Sequence, residues 1–181
     1  MPTKRPDAPA LTLDRVPTPV GEVLLVVDAE GRVRALDFVD YEDRMRRLLA
    51  RHYGPVPLVE GSAPEGIRTA VQAYFSGDIR ALDALPVATG GTDFQRQVWA
   101  ALRSIPPGET RSYAQLAAAV GRPRAVRAVG LANGQNPIGV IVPCHRVIGA
   151  SGKLTGYAGG LDRKRWLLDH ERGALRQSSP A

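Results

Sequence analysis

Residues 85–91, Leu-Pro-Val-Ala-Thr-Gly-Gly, interrupt the chain where its periodicity and its charge both change. A proline followed by two glycines continues neither a helix nor a strand, so the pattern on each side is read separately. Of 24 Lys/Arg and 18 Asp/Glu in 181 residues, residues 1–90 hold 11 and 13, a net −2, while residues 91–181 hold 13 and 5, a net +8. A coding bias toward arginine does not segregate charge between halves. A half this basic points to a polyanionic partner, nucleic acid first and a membrane surface second. The length suits one large or two small domains, and the break sets them at 11–86 and 91–173, with 1–10 and 174–181 as frayed polar tails.

Hydrophobic residues at 44% and charged residues at 23% exclude wholesale disorder. One cysteine and three histidines exclude a disulfide framework and a cysteine-rich zinc site. No apolar run approaches the ~18 to 20 residues of a membrane span. Met1–Ala10 lacks the apolar stretch of a signal peptide, so a cytoplasmic protein is expected.

In the first half, residues 18–39 read as a β-hairpin: a β-branched run at Val23–Val27, a turn at Asp28–Gly31, then alternation through Val33, Ala35 and Phe38. Helical spacing follows at Arg44–His52, with Met45, Leu48 and Leu49 apolar, and at Pro64–Phe75, with Ile67, Ala70, Val71 and Phe75. The second half opens on Thr92, whose hydroxyl can cap a helix striped by Phe94, Val98, Trp99 and Leu102. Ser112 then caps a short helix, Gly121 makes a turn, and Pro123 takes the first position of a second helix whose start carries Arg122, Arg124 and Arg127. This is the form of a helix-turn-helix, and equally of an αα-hairpin with a solvated basic end. The fold class is therefore α/β, with a mainly helical second half.

Residues 138–149, IGVIVPCHRVIG, form a β-branched apolar run that predicts a buried strand, broken at Pro143-Cys144-His145-Arg146 because proline cannot donate to a sheet ladder. A lone cysteine is commonly a small buried hydrophobe, His145 can be a satisfied core histidine, and Glu171 can be merely exposed. Against that, an imidazole and a guanidinium next to Cys144 favour the thiolate, the nucleophilic form. Gly156 and the Gly159-Gly160 pair flank Tyr157, letting that loop approach a flat ligand, and Asp162 is placed to cap a final helix carrying Glu171.

The run Pro143-Cys144-His145-Arg146-Val147, with Asn136-Pro137 upstream and Gly156-Tyr157-Ala158-Gly159-Gly160 downstream, resembles the O6-alkylguanine-DNA alkyltransferases, the methylated-DNA–protein-cysteine S-methyltransferases. The likeness extends over most of the chain. It implies a ribonuclease-H-like α/β N-terminal domain followed by a mainly helical, winged-helix-like domain with the helix-turn-helix. It also implies single-turnover transfer of an alkyl group from O6-alkylguanine in DNA to Cys144 after the base is flipped out, with O4-alkylthymine open as a second substrate. Cys144 matches the alkyl acceptor, His145 (through a water) and Glu171 the relay that takes its proton, and Asn136 the hinge asparagine. Arg127 matches the arginine that fills the gap left by the flipped nucleotide, and Tyr113 the tyrosine that turns the adjoining phosphate and can protonate guanine. Tyr157, Ala158 and Val147 would line the base pocket, and Arg122 and Arg124 would add DNA contacts. Small residues at Ala125, Ala128 and Gly130 would admit the recognition helix to the minor groove. Ala158 departs from the serine of some members, leaving only its backbone N–H to reach O6. No cofactor and no metal are implied, and the partner is double-stranded DNA bound by a monomer with little sequence preference, away from membranes. The rivals are a non-catalytic DNA-binding module and a cysteine hydrolase. Related damage sensors commonly carry tryptophan in place of the acceptor, and adjacent residues of an extended segment point to opposite faces, which disfavours direct Cys144–His145 contact.

Overall fold

The computed structural model describes residues 10–178; residues 1–9 of the tail expected at 1–10, and residues 179–181 of that expected at 174–181, lie outside it. Strand β1 (Leu11–Val16) pairs antiparallel with β2 (Val23–Asp28), β2 antiparallel with β3 (Val33–Phe38), and β1 parallel with β4 (Leu58–Glu60), so the sheet runs β3-β2-β1-β4. The β2–β3 hairpin is the expected one, turned at Gly31 with φ 79° and held by the Asp28 carboxylate, which accepts from the N–H groups of Glu30 and Arg32. Every residue of β2 is buried because both sheet faces are covered. Leu24 and Val26 pack with Met45 and Leu49 of α1 (Glu42–Tyr53), while Leu25 and Val27 join Ile67 and Val71 of α2 (Glu65–Phe75) on the other side.

Strand β1 was not readable because an acid hides its alternation. Asp14 is buried yet satisfied, accepting from the N–H groups of Arg15 and Ala63 and from Arg68.

In the second half, α3 (Asp93–Arg103) and α4 (Tyr113–Ala119) each start in a full capping box, Thr92 with Gln95 and Ser112 with Gln115. Between them β5 (Arg111–Ser112) pairs parallel with β6 (Val147–Ile148). Helix α5 (Val126–Gly134) follows the Gly121 turn, and α6 (Leu161–Ser178) closes the chain. Three local expectations change. Pro123 lies in the turn ahead of α5 and not at its first position, Asp162 lies inside α6 and not ahead of it, and residues 174–178 of the expected tail are helical. Leu175 sits against Gly108, where a side chain would collide with it.

The run at 138–149 is buried, as expected, but it is not one strand. Ile138 makes an isolated sheet bridge to Leu36; the chain then turns through Val140 at φ 67°, enters a 3₁₀ turn at Cys144–Arg146 and is paired again only at Val147–Ile148, the two residues of β6. A β-branched residue there is strained, so neighbours must impose it. Asn136 does so: its amide donates to the carbonyl of Val142 (2.8 Å) and accepts from the N–H of Ile138 (3.0 Å), replacing part of a sheet ladder.

The outer edge of β3 is covered by the break at 85–91 and by a segment from the middle of the second half. Val33 exchanges backbone hydrogen bonds with Pro86 and Ala88, and Leu36 with Pro137 and Gly139. One apolar cluster accordingly contains Leu36, Phe38 and Tyr74 together with Trp99, Ile138, Val142 and Leu167. Among the described residues no helix is long and apolar enough to cross a membrane.

Candidate active site

Glu171, on α6, is fully buried, and the hydrogen bonds it receives come from three separate parts of the chain, at Tyr74, Gly108 and the His145-Arg146 pair. Its Oε2 accepts from Tyr74 Oη (2.7 Å), Arg146 Nη2 (2.9 Å) and His145 Nε2 (2.8 Å), and its Oε1 from Arg146 Nε (2.9 Å) and the N–H of Gly108 (3.5 Å). Burial alone would raise this carboxyl, but the hydrogen bonds from His145 and Arg146 and the Arg146 charge outweigh it and hold the carboxyl well below the usual glutamate range. An ionised carboxylate only accepts, so Nε2 of His145 carries the hydrogen and Nδ1 carries the lone pair. Burial keeps this imidazole neutral against the pull of Glu171, and Nδ1 is buried with no protein partner.

Cys144, on the 3₁₀ turn beside it, is 7% exposed. Burial pushes its thiol up; a hydrogen bond from Asn136 and the charges of Arg44 and Lys164 pull the other way, and Asp37 opposes them. This corrects the expected source of activation. Arg146 is spent on Glu171 and on the carbonyl of Ile105 (2.7 Å), so the cations acting on the thiol come from α1 and α6.

Lys164 is also fully buried, its Nζ donating to the carbonyls of Thr155 (2.7 Å) and Gly156 (3.5 Å) at the foot of the glycine-rich loop. That loop carries Tyr157, whose phenol burial and the nearby Cys144 push up, and half-buried Ala158. Gly159 follows because a Cβ there would lie 2.9 Å from the Tyr157 ring and 3.0 Å from Phe38. Tyr113 reaches the same loop, its Oη accepting from Thr155 Oγ1 at 3.3 Å, and its ring lies against Gly130 of α5. Val147 is fully buried in β6. Arg122, Arg124 and Arg127 are exposed around the α4–α5 turn, Arg122 lying over the Phe94 ring at 5.6 Å.

The structure thus gathers Cys144, His145, Glu171, Asn136, Tyr157 and Ala158 at one locus, with Tyr113 at its rim and the arginines on the adjoining surface. Sequence reasoning missed Tyr74, Arg44 and Lys164. Lys164 was findable: Lys164, Leu167, Leu168 and Glu171 share the i, i+3, i+4, i+7 face of α6. Tyr74 and Arg44 act on partners about ninety residues away and leave no local signal. Among the described residues no group of three or more His, Cys, Asp or Glu is placed to hold a metal ion.

Residues 93–173 match the family described as 6-O-methylguanine DNA methyltransferase, DNA binding domain. A protein of Salmonella typhimurium named methylated-DNA–protein-cysteine methyltransferase is 51% identical over 87% of this chain and 94% of its own length. One of Methanosarcina barkeri with the same name is 47% identical over 90% and 98%. The crystal structure of Mycobacterium tuberculosis OGT in complex with DNA superposes with a TM-score of 0.75 and 40% identity, covering 90% of this chain and 94% of that one. Identity at this level across nearly full-length relatives leaves one assignment: the chain belongs to the methylated-DNA–protein-cysteine methyltransferase family.

Proposed function

We propose that the protein repairs DNA by taking the alkyl group of O6-alkylguanine onto Cys144, once and irreversibly. The observation that carries this reading is a buried His145 whose Nε2 hydrogen is directed at Glu171 and whose Nδ1 lone pair has no protein partner, on the same 3₁₀ turn as the chain's single thiol. A free thiol, with pKa ~8.5, is mostly protonated at neutral pH and more so when buried. A bridging water can pass its proton to Nδ1, and Glu171 then stabilises the imidazolium. The thiolate sulfur attacks the alkyl carbon, that carbon's bond to O6 breaks, and the electron pair stays on guanine, which takes a proton from Tyr113. The product is a thioether, which water does not cleave, so each molecule acts once.

O6 lies inside the duplex stack, so the damaged base must be turned out, and an alkylated guanine with weakened pairing turns out most easily. Arg127 fills the gap, while Arg122 and Arg124 hold phosphates and Tyr157 with Ala158 receives the base. The net +8 of residues 91–181 supports duplex binding with little sequence preference, and the M. tuberculosis relative is solved with DNA. The minor groove as the face approached, action as a monomer, and ribonuclease-H-like and winged-helix-like descriptions of the halves belong to the same reading.

Incubation with a duplex carrying one O6-methylguanine should raise the intact mass by one methyl group in place of one hydrogen, located on Cys144 and lost in Cys144→Ala. Turnover beyond one equivalent would favour a hydrolase, and tight DNA binding without an adduct would favour a binding module.

A further inference from the structure

Helix α5 is amphipathic with one exception. At about 100° per residue, Val129, Ala132 and Asn133 fall on one face, and all three are buried. Arg127, Leu131 and Gly134, at i, i+4 and i+7, fall on the opposite ridge. Arginine and glycine suit a solvated ridge. Leu131 does not: it is 64% exposed, and Val126 at the start of the helix is 36% exposed.

The surroundings limit what could cover it. No Asp or Glu occurs between Glu109 and Asp162, so the whole α4–turn–α5 surface is cationic or neutral. Arg122, Arg124 and Arg127 are exposed and form no ion pair among the described residues. A partner for this ridge must carry dense negative charge and, one helical turn from Arg127, an apolar wall. The grooves of a nucleic acid duplex present both, phosphates at the rim and deoxyribose carbons on the wall.

We propose that Leu131 is an apolar groove contact, packing on deoxyribose carbons one turn beyond Arg127 and supplying a part of duplex affinity that salt does not screen. The proposal deepens the DNA-repair reading and rests on it. The small residues of α5 are then not the whole of its fit: Gly130 faces Tyr113, and the outermost ridge bears a large side chain.

The test is affinity for a labelled undamaged duplex, measured by fluorescence anisotropy across a salt series. Leu131→Ala should weaken binding about three- to tenfold at every salt concentration and leave the salt slope unchanged. Leu131→Met should restore most of the loss. Arg124→Ala should make the slope shallower by about one. Since no element of the chain covers Leu131, its variants should melt as the parent does, which excludes misfolding as the cause. Unchanged affinity in Leu131→Ala beside a weakened Arg124→Ala overturns the proposal and leaves the repair reading standing. A parent protein that neither binds duplex nor gains a methyl group overturns the repair reading itself. Leu131-dependent binding to phosphatidylserine vesicles, with duplex affinity untouched, would assign the ridge to membranes and overturn the proposal.

Discussion

Glu171 and Arg146 form a buried ion pair whose two charges are useful only together. The guanidinium is bidentate on the carboxylate and also donates to the carbonyl of Ile105, and its side chain is only 6% exposed. Replacing Glu171 by glutamine leaves that cation buried without a counter-charge, and a loss of about 3 to 5 kcal/mol is expected. Tyr74→Phe removes one neutral donor from Oε2 while His145 and Arg146 stay in place, so its cost should be about 1 to 2 kcal/mol. Urea denaturation of the two variants checks the order. If Glu171→Gln were no worse than Tyr74→Phe, the carboxylate would not be the electrostatic centre described above. The ranking has a chemical corollary: a carboxylate already satisfied by arginine can hold the imidazole orientation of His145 without having to move when the proton arrives.

Helix α1 reaches the site through one side chain. Arg44 donates to the Asp37 carboxylate of β3 (2.9 Å) and to the carbonyls of Gly134 (2.7 Å) and Asn136 (3.2 Å), joining the N-terminal sheet to the end of α5 and to the turn before Cys144. Burial raises the Asp37 carboxyl even with Arg44 opposing it. A carboxyl raised on folding costs stability once pH exceeds its unfolded value, ~3.8, and Arg44 offsets part of that cost. Arg44→Met should therefore lose about 2 to 4 kcal/mol near neutral pH and progressively less as the pH falls and Asp37 takes up its proton, shrinking toward the ~1 kcal/mol of the carbonyl contacts. Denaturation curves of parent and variant across a falling pH series test this, and a difference that does not change with pH would refute the linkage. The same elements show what was legible in the sequence. Helices α3 and α4 announced themselves through Thr92 and Ser112, and the hairpin through its Asp28–Gly31 turn, because these signals lie within four residues of what they specify. The run at 138–149 did not: its backbone is satisfied by the Asn136 amide rather than by a ladder, and apolar composition reports burial, not conformation. The site was half legible for the same reason. Cys144, His145 and nearby Asn136 lie close together in sequence, whereas Arg44 and Tyr74, which pack around them, arrive from the other half of the chain.

Across the whole molecule, the break at 85–91 separates charge and periodicity but does not separate the core. The apolar cluster runs from Leu25 and Leu36 through Tyr74 to Trp99, Ile138 and Leu167, and β3 uses its outer edge to bind both Pro86–Ala88 and Pro137–Gly139. A fragment beginning at residue 91 would keep every reacting residue yet lose Tyr74 from Glu171, Arg44 from the Asn136 turn, and the β3 edge from Ile138. It would also expose apolar surface that the sheet now covers, at roughly 25 cal/mol for each Å² returned to water. The fragment 91–181 should therefore melt well below the full chain and alkylate more slowly even when folded, because Val140 is strained and the turn before Cys144 is imposed partly from the other half. Adding residues 1–90 in trans should recover part of both losses, since the seam is built from backbone hydrogen bonds and apolar contacts that need no covalent link. A fragment with the melting temperature and single-turnover rate of the whole protein would show that the halves are independent, and that the sheet contributes nothing to the acceptor turn.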